Sequence, residues 1–291
     1  MIVAASGKSI QYDLCRYEGT KLLFRGPPRS FDIPYVAALG GTETFGPFVK
    51  DPYPSLLEDW LDQPVVNLGV RQAGVSLFAA ERWVLECASK ADVAILQVLG
   101  AGNMSNRLYS VHSRRNDRFL AVSPALKEMF PDVDFTEFSF IRHLLQSLSD
   151  RSQSAFEIMV EELRFAWLQR MRRILSMIET DVVLLWMSDR SPAAPSSWPQ
   201  GPEPLFVTKP MIDELVGDVA AVVEVVSATE GDRLEGKTFE LPEKEAALTV
   251  PCPHHHAKVA ERLSEVIGEL RAHPVQRMRD RRQAPRSRSA I

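Results

Sequence analysis

Residues 35–74 read YVAALGGTETFGPFVKDPYPSLLEDWLDQPVVNLGVRQAG, and their pattern sets the expected fold. Tyr35–Leu39 is a short apolar run that stops at Gly40-Gly41, with Thr42 directly behind it and Gly46 closing the turn. A buried strand that breaks at glycines delivers the next side chain to the carboxyl edge of a sheet, where open α/β sheets bind ligands. Ser55–Leu61 has the spacing of a short amphipathic helix. Val65–Gly69 is a second aliphatic strand, again ended by glycine. Strand, polar turn, helix, strand is one βαβ unit, so the neighbouring strands are expected to be parallel.

The same alternation continues outward. Leu77–Ala88 recurs at near-helical spacing, and ADVAILQV at 91–98 suits a buried parallel strand. Phe119–Leu148 reads as an insertion, helical to Met129 and again after the turn at 130–135. Ser152–Thr180 carries a long apolar stripe from Phe156 to Ile178. DVVLLW at 181–186 and DVAAVVEVV at 218–226 are further strands, with a helix from Lys209 to Val216 between them. The Pro/Ser-rich stretch 191–204 is a loop, either a lid or a plain connection. Leu22–Phe24 is a candidate edge strand. The order predicts an α/β fold of the flavodoxin-like type, a three-layer sandwich with a parallel sheet and an inserted helical segment. Its expected limits are a lead-in at 1–33, the α/β domain at 34–270 with the insertion at about 119–150, and a disordered basic tail at 271–291.

Composition narrows the class. With 45% hydrophobic and 25% charged residues the 291-residue chain has enough apolar material for a sizeable core. No leader-like or bilayer-spanning apolar run stands out. Three widely spaced cysteines argue for reduced thiols and a cytoplasmic location rather than a disulfide framework. The net charge of −4 conceals seven arginines and one aspartate after residue 270, so the body is distinctly acidic. A nucleic-acid partner is not expected beyond the weak attraction any basic tail provides.

Three short blocks resemble the SGNH/GDSL hydrolase superfamily. Gly40-Gly41-Thr42-Glu43-Thr44-Phe45-Gly46 fits the frame G-D-S-x-T-x-G, with Thr42 at the nucleophile position and Gly41 at the acidic one. Asn67-Leu68-Gly69 fits the N-x-G block, and Gly100, Gly102 and Asn103 are similar to the block whose asparagine faces the oxyanion. The resemblance is to a divergent branch, of bacterial type, with Thr in place of Ser. It implies an acyl-ester hydrolase or acyltransferase with Thr42 as nucleophile and His254, or next His255, as base. Thr42, Gly69 and Asn103 then supply the oxyanion donors. Pro251 falls at the acid position, so the orienting carboxylate passes to Asp189 or Glu43. No cofactor and no metal are implied.

A hydroxyl nucleophile needs a base within hydrogen-bond reach and a partner that holds the base. The threonine methyl restricts χ1 and crowds the attack path. Two of three triad positions depart from the pattern, so a degenerate triad is expected. The run YSVHSRRNDRF at 109–119, with Arg107 before it, is the densest polar stretch of the body. Arg107, His112, Arg114, Arg115 and Arg118, with Asp189, form the expected substrate-binding group, since guanidinium forks suit anions. The substrate class is a small molecule, an acylated sugar or anionic ester. The alternatives are an inactive SGNH-like binding protein and a sulfo- or glycosyl-type transferase that uses the arginines.

Overall fold

A computed structural model describes residues 10–196, 199–227 and 233–272. Residues 35–74 fold as β1 (Val36–Gly40), α1 (Thr42–Phe45), α2 (Tyr53–Leu61) and β2 (Val65–Gly69). They are followed by α3 (Val75–Ala80), α4 (Arg82–Lys90) and β3 (Val93–Gln97). The inserted region holds β4 (Tyr109–Val111), β5 (Phe119–Val122), α5 (Pro124–Met129) and α6 (Ile141–Arg151). Next come α7 (Gln153–Met177), β6 (Asp181–Ser188), α8 (Lys209–Asp213), β7 (Ala221–Val226), α9 (Lys244–Leu248) and α10 (Pro253–Ala272).

The main sheet has the order β2-β1-β3-β6-β7, and every pairing in it is parallel. Aliphatic side chains alternate between its faces because successive residues of a strand point to opposite sides. Ala37, Leu39, Ala94 and Leu96 join the core beneath α3, α4 and α7, whereas Val36, Ala38, Val93 and Ile95 join a second core beneath α2 and α10. A slip of one residue would exchange these sets, so packing on both faces fixes the register. Both faces are covered, which makes the molecule the three-layer α/β sandwich expected. The strand order reverses between β1 and β3, and a crevice at the carboxyl ends of those strands is where such sheets bind ligands.

Several local expectations are corrected. Leu77–Ala88 is two helices, because Glu81 leaves the helical region at ψ 84°. The start of the insertion is an antiparallel hairpin of β4 with β5, not a helix, and α5 is confined to 124–129. Pro124 suits a first helical turn, and the Ser123 side chain caps it by accepting from the Leu126 N–H. The helix at 209–216 ends at Asp213, and the strand at 218–226 begins at Ala221. Leu22–Phe24 forms only a single antiparallel bridge, Cys15 to Phe24. No described helix is long and apolar enough to cross a membrane. The tail beyond Ala272 lies outside the described residues.

Candidate functional site

A cleft of about 800 Å³ opens at the carboxyl edge of the sheet, over the ends of β1 and β3. Thr42 and Glu43 form one side of its floor, Gln97 to Gly100 the other. Ser188 and Asp189 follow β6, and the segments 200–205 and 248–251 form the walls.

The floor is organised by Gln97, the last residue of β3 and almost wholly buried. Its Oε1 accepts from Gly41 N (2.9 Å), Thr44 N (3.3 Å) and Thr44 Oγ1 (2.6 Å). Three donors on the oxygen fix which way the amide points. Its Nε2 therefore donates to Glu43 Oε2 at 2.8 Å. Thr44 Oγ1 also meets the buried Tyr53 hydroxyl at 3.1 Å. Gly40 is required here: a Cβ would lie 2.0 Å from Thr44 Oγ1 and 2.4 Å from Gln97 Oε1. Burial pushes the Glu43 carboxyl upward from its usual pKa. The Gln97 bond opposes that shift, the Glu203 charge adds to it, and Arg142 opposes it weakly.

Glu203 faces this floor from the loop after β6. Its Oε1 accepts from Arg142 Nη2 (2.8 Å) and its Oε2 from Leu205 N (2.9 Å). A Cβ on Gly100 would lie 2.3 Å from Glu203 Oε2, so that glycine makes room for the carboxylate. Arg142 also donates to Pro199 O and Gly201 O. Buried Arg190 holds the base of the same loop through Pro204 O (2.6 Å) and Val207 O (3.0 Å). These arginines make the described part of the loop a fixed wall.

The lead-in contributes too. Arg25 is buried, and its guanidinium donates to Val49 O (2.8 Å), Lys50 O (2.7 Å) and Gly46 O. It thereby shapes the segment that places Pro47 and Phe48 in the cleft.

The cleft brings together Thr42, Glu43, Asn103 and Asp189 of the residues expected from sequence. Thr42 Oγ1 accepts from Gln72 N at 3.0 Å. Gly69 is not at the cleft surface; its N–H donates to Asn67 Oδ1 at 2.9 Å, and its α-carbon packs on the α1 backbone. His254 is exposed on α10 and does not line the cleft. His255 is buried, with Nε2 3.3 Å from Val225 O and Nδ1 4.0 Å from Asp189 Oδ1. Burial holds its pKa below the ordinary histidine value, with the Val225 carbonyl and Asp189 pulling the other way. His256 is sealed between layers, where its Nδ1 accepts from Tyr53 N at 3.1 Å.

The arginines and His112 of the cationic run do not line the cleft, although Asp117 of the same run does. Arg107 pairs with Glu162 at 2.8 Å, Arg115 with Asp117 at 3.7 Å, and Arg118 lies over the Phe140 ring at 4.2 Å. His112 Nδ1 accepts from the Arg114 and Arg115 amides. Asn116 of this run supports the cleft from behind and is fully buried. Its Oδ1 accepts from Gly74 N (2.8 Å) and Leu77 N (3.1 Å) at the start of α3, and its Nδ2 donates to His112 O (2.8 Å). Asn116 thus clamps residues 71–74, which line the cleft, to the inserted hairpin.

The profile of the family described as "Domain of unknown function (DUF6473)" matches residues 1–271. The chain belongs to that family. No curated protein matches it in sequence. Among solved structures, this family member is similar to the lipase Lip_vut3 from a goat rumen metagenome. The identity is 12% and the TM-score 0.40, covering 80% of this chain and 97% of that one. It is also similar to a carbohydrate esterase family 2 enzyme with a carbohydrate binding domain from Corynascus thermopiles. There the identity is 12% and the TM-score 0.43, with 85% and 69% covered. A G-D-S-L family lipolytic protein described as such from Desulfitobacterium hafniense DCB-2 gives 16%, 0.38, 80% and 99% in the same order. Likenesses of this depth carry nothing about chemistry, which has to come from the cleft.

Sequence reading missed Gln97, Arg71, Arg142, Glu203 and Asn116. Gln97 had a legible signal, a lone amide at the end of the aliphatic run AILQV. Glu203, in a Pro/Ser-rich loop, had none, because only the folded loop carries it over the end of β3.

Proposed function

We propose that this family member binds a small polar ligand in the cleft, on an SGNH-like frame, and works without a hydroxyl–imidazole pair. One observation carries the reading: no histidine among the described residues lines the cleft that holds Thr42. Proton transfer requires a base at about 2.6–3.2 Å or through one water, and none of the described histidines lines the cleft beside the Thr42 hydroxyl, whose oxygen accepts from Gln72 N. What converges at the cleft is recognition chemistry: carboxyls, guanidiniums and amides anchored by buried hydrogen bonds. The test is hydrolysis of p-nitrophenyl acetate and butyrate. The wild-type protein and Thr42→Ala are expected to show equal, near-background rates. A loss of a hundredfold or more in Thr42→Ala would overturn the reading.

A second reading is an acyl-ester hydrolase or acyltransferase that uses Thr42 with Glu43. The adjacency of the hydroxyl and an upward-shifted carboxyl on one cleft floor favours it. The same esters decide between the two, since this reading requires both Thr42→Ala and Glu43→Gln to abolish turnover. Free Cys15, Cys87 and Cys252 fit a reducing compartment, which supports the cytoplasmic location expected.

A further inference from the structure

The charged groups of the cleft do not cancel. Four acidic residues line it: Glu43, Asp117, Asp189 and Glu203. Three have an arginine of their own, Asp117 with Arg115 (3.7 Å), Asp189 with Arg233 (2.9 Å) and Glu203 with Arg142 (2.8 Å). The fourth, Glu43, is hydrogen-bonded to a neutral amide, and its burial favours the uncharged carboxyl. Three arginines line the cleft, and two of them, Arg142 and Arg233, are those used in the pairs. Arg71 is the third, and it has no ion pair among the described residues.

Arg71 is exposed, yet the backbone that carries it is fixed. Its guanidinium carbon sits 5.8 Å from the centre of the Phe45 ring. The next residue, Gln72, adopts the left-handed region at φ 60°, where non-glycine backbone needs support. Gln72 N donates to Thr42 Oγ1 (3.0 Å), and Gln72 O accepts from Asn116 N (3.0 Å). Because Thr42 Oγ1 already accepts from Gln72, its own hydrogen is left to donate. A cation and a hydroxyl donor therefore stand on one preorganised loop–helix junction, and preorganisation reduces the ordering cost of binding.

We infer that Arg71 and Thr42 form an anion subsite of the cleft, which takes an oxyanion group of a small ligand: a carboxylate, or a phosphate or sulfate ester. The inference rests on the reading of the cleft as a ligand site and narrows it to a ligand class. Guanidinium forks bind such groups in a bidentate manner that lysine cannot reproduce. The loop arginines picked out by sequence are not part of this subsite.

The experiment titrates the full chain with inorganic phosphate, sulfate, acetate and phenyl phosphate at constant ionic strength, read by calorimetry and thermal shift. Glucose and glycerol serve as neutral probes. Saturable binding of at least one anion is expected. Arg71→Gln should weaken it at least tenfold, Arg71→Lys should restore it only in part, and Arg172→Gln, on α7 and paired with Glu214, should bind as wild type. Which anion binds best distinguishes a carboxylate from a tetrahedral ester. Equal binding by Arg71→Gln would overturn the inference. So would loss of binding in Arg114→Gln with Arg71→Gln intact, or the absence of anion binding in the wild type. Binding of a neutral probe alone would overturn this subsite while leaving the reading of the cleft as a ligand site in place.

Discussion

Replacing Asn116 with alanine tests whether the inserted hairpin supports the cleft through one buried amide. The side chain is fully buried and makes three good hydrogen bonds, two of them to the amides of Gly74 and Leu77. Gly74 is the N-cap of α3 and its N–H has Asn116 as its acceptor, whereas the Leu77 N–H is shared between Asn116 Oδ1 and Gly74 O, each at 3.1 Å. An orphaned buried donor costs about 1–2 kcal/mol, and a lost neutral bond about 1 kcal/mol. One orphaned amide, at Gly74, and the lost bonds to Leu77 N and His112 O then give a destabilisation of about 3–4 kcal/mol. At about 2–4 °C per kcal/mol for a domain approaching this size, the melting temperature should fall by about 10 °C. Urea unfolding followed by circular dichroism measures the free energy. Amide exchange supplies a local readout, because Gly74 and Leu77 should lose protection beyond the global change. A loss below about 1 kcal/mol, or unchanged relative protection at those two amides, would refute the clamp.

Two further predictions concern pH. Burial raises the folded-state pKa of Glu43, so its contribution is fully present below the unfolded value of about 4.5 and is lost as pH rises through the folded value. Glu43→Gln should remove that loss, so the variant gains stability relative to wild type as pH increases; a constant difference across pH would count against a half-buried carboxyl with an upward-shifted pKa. His256 shifts in the opposite sense, down to about 3 from 6.5, chiefly through burial. Its contribution is present above pH 6.5 and falls as pH drops from there toward about 3, with a slope of up to about 1.4 kcal/mol per pH unit. Urea midpoints across that range should show a shallower acid limb in His256→Gln than in wild type, and coincident limbs would argue against a neutral His256.

The layered fold was legible because it follows from local rules. Aliphatic runs at 36–39, 93–96 and 182–185 can only be buried, glycines punctuate the strand ends, and amphipathic stripes lie between them. Thr42 at the sheet edge followed from the same logic, since Gly40 and Gly41 end β1 whatever the chemistry beyond. The hairpin of β4 and β5 was misread because Phe119–Val122 is only four residues long and half exposed, too short for its period to separate strand from helix.

What the sequence by itself determined, then, was the parallel three-layer frame and the edge at which a ligand would bind, because periodicity and strand termination are properties of neighbouring residues. Tertiary structure alone decided the composition of the cleft. Glu203 reaches Arg142 across 61 positions, Asn116 reaches Gly74 across 42, and Gln97 reaches Glu43 across 54. The histidines at 254–256 lie at the start of α10, and helix geometry turns His255 and His256 into the protein while leaving His254 in solvent. Each step along a helix turns the side chain by about 100°, so His254 faces out while His255 reaches Val225 O and His256 reaches Tyr53 N, and the imidazole first expected as the base ends up in solvent.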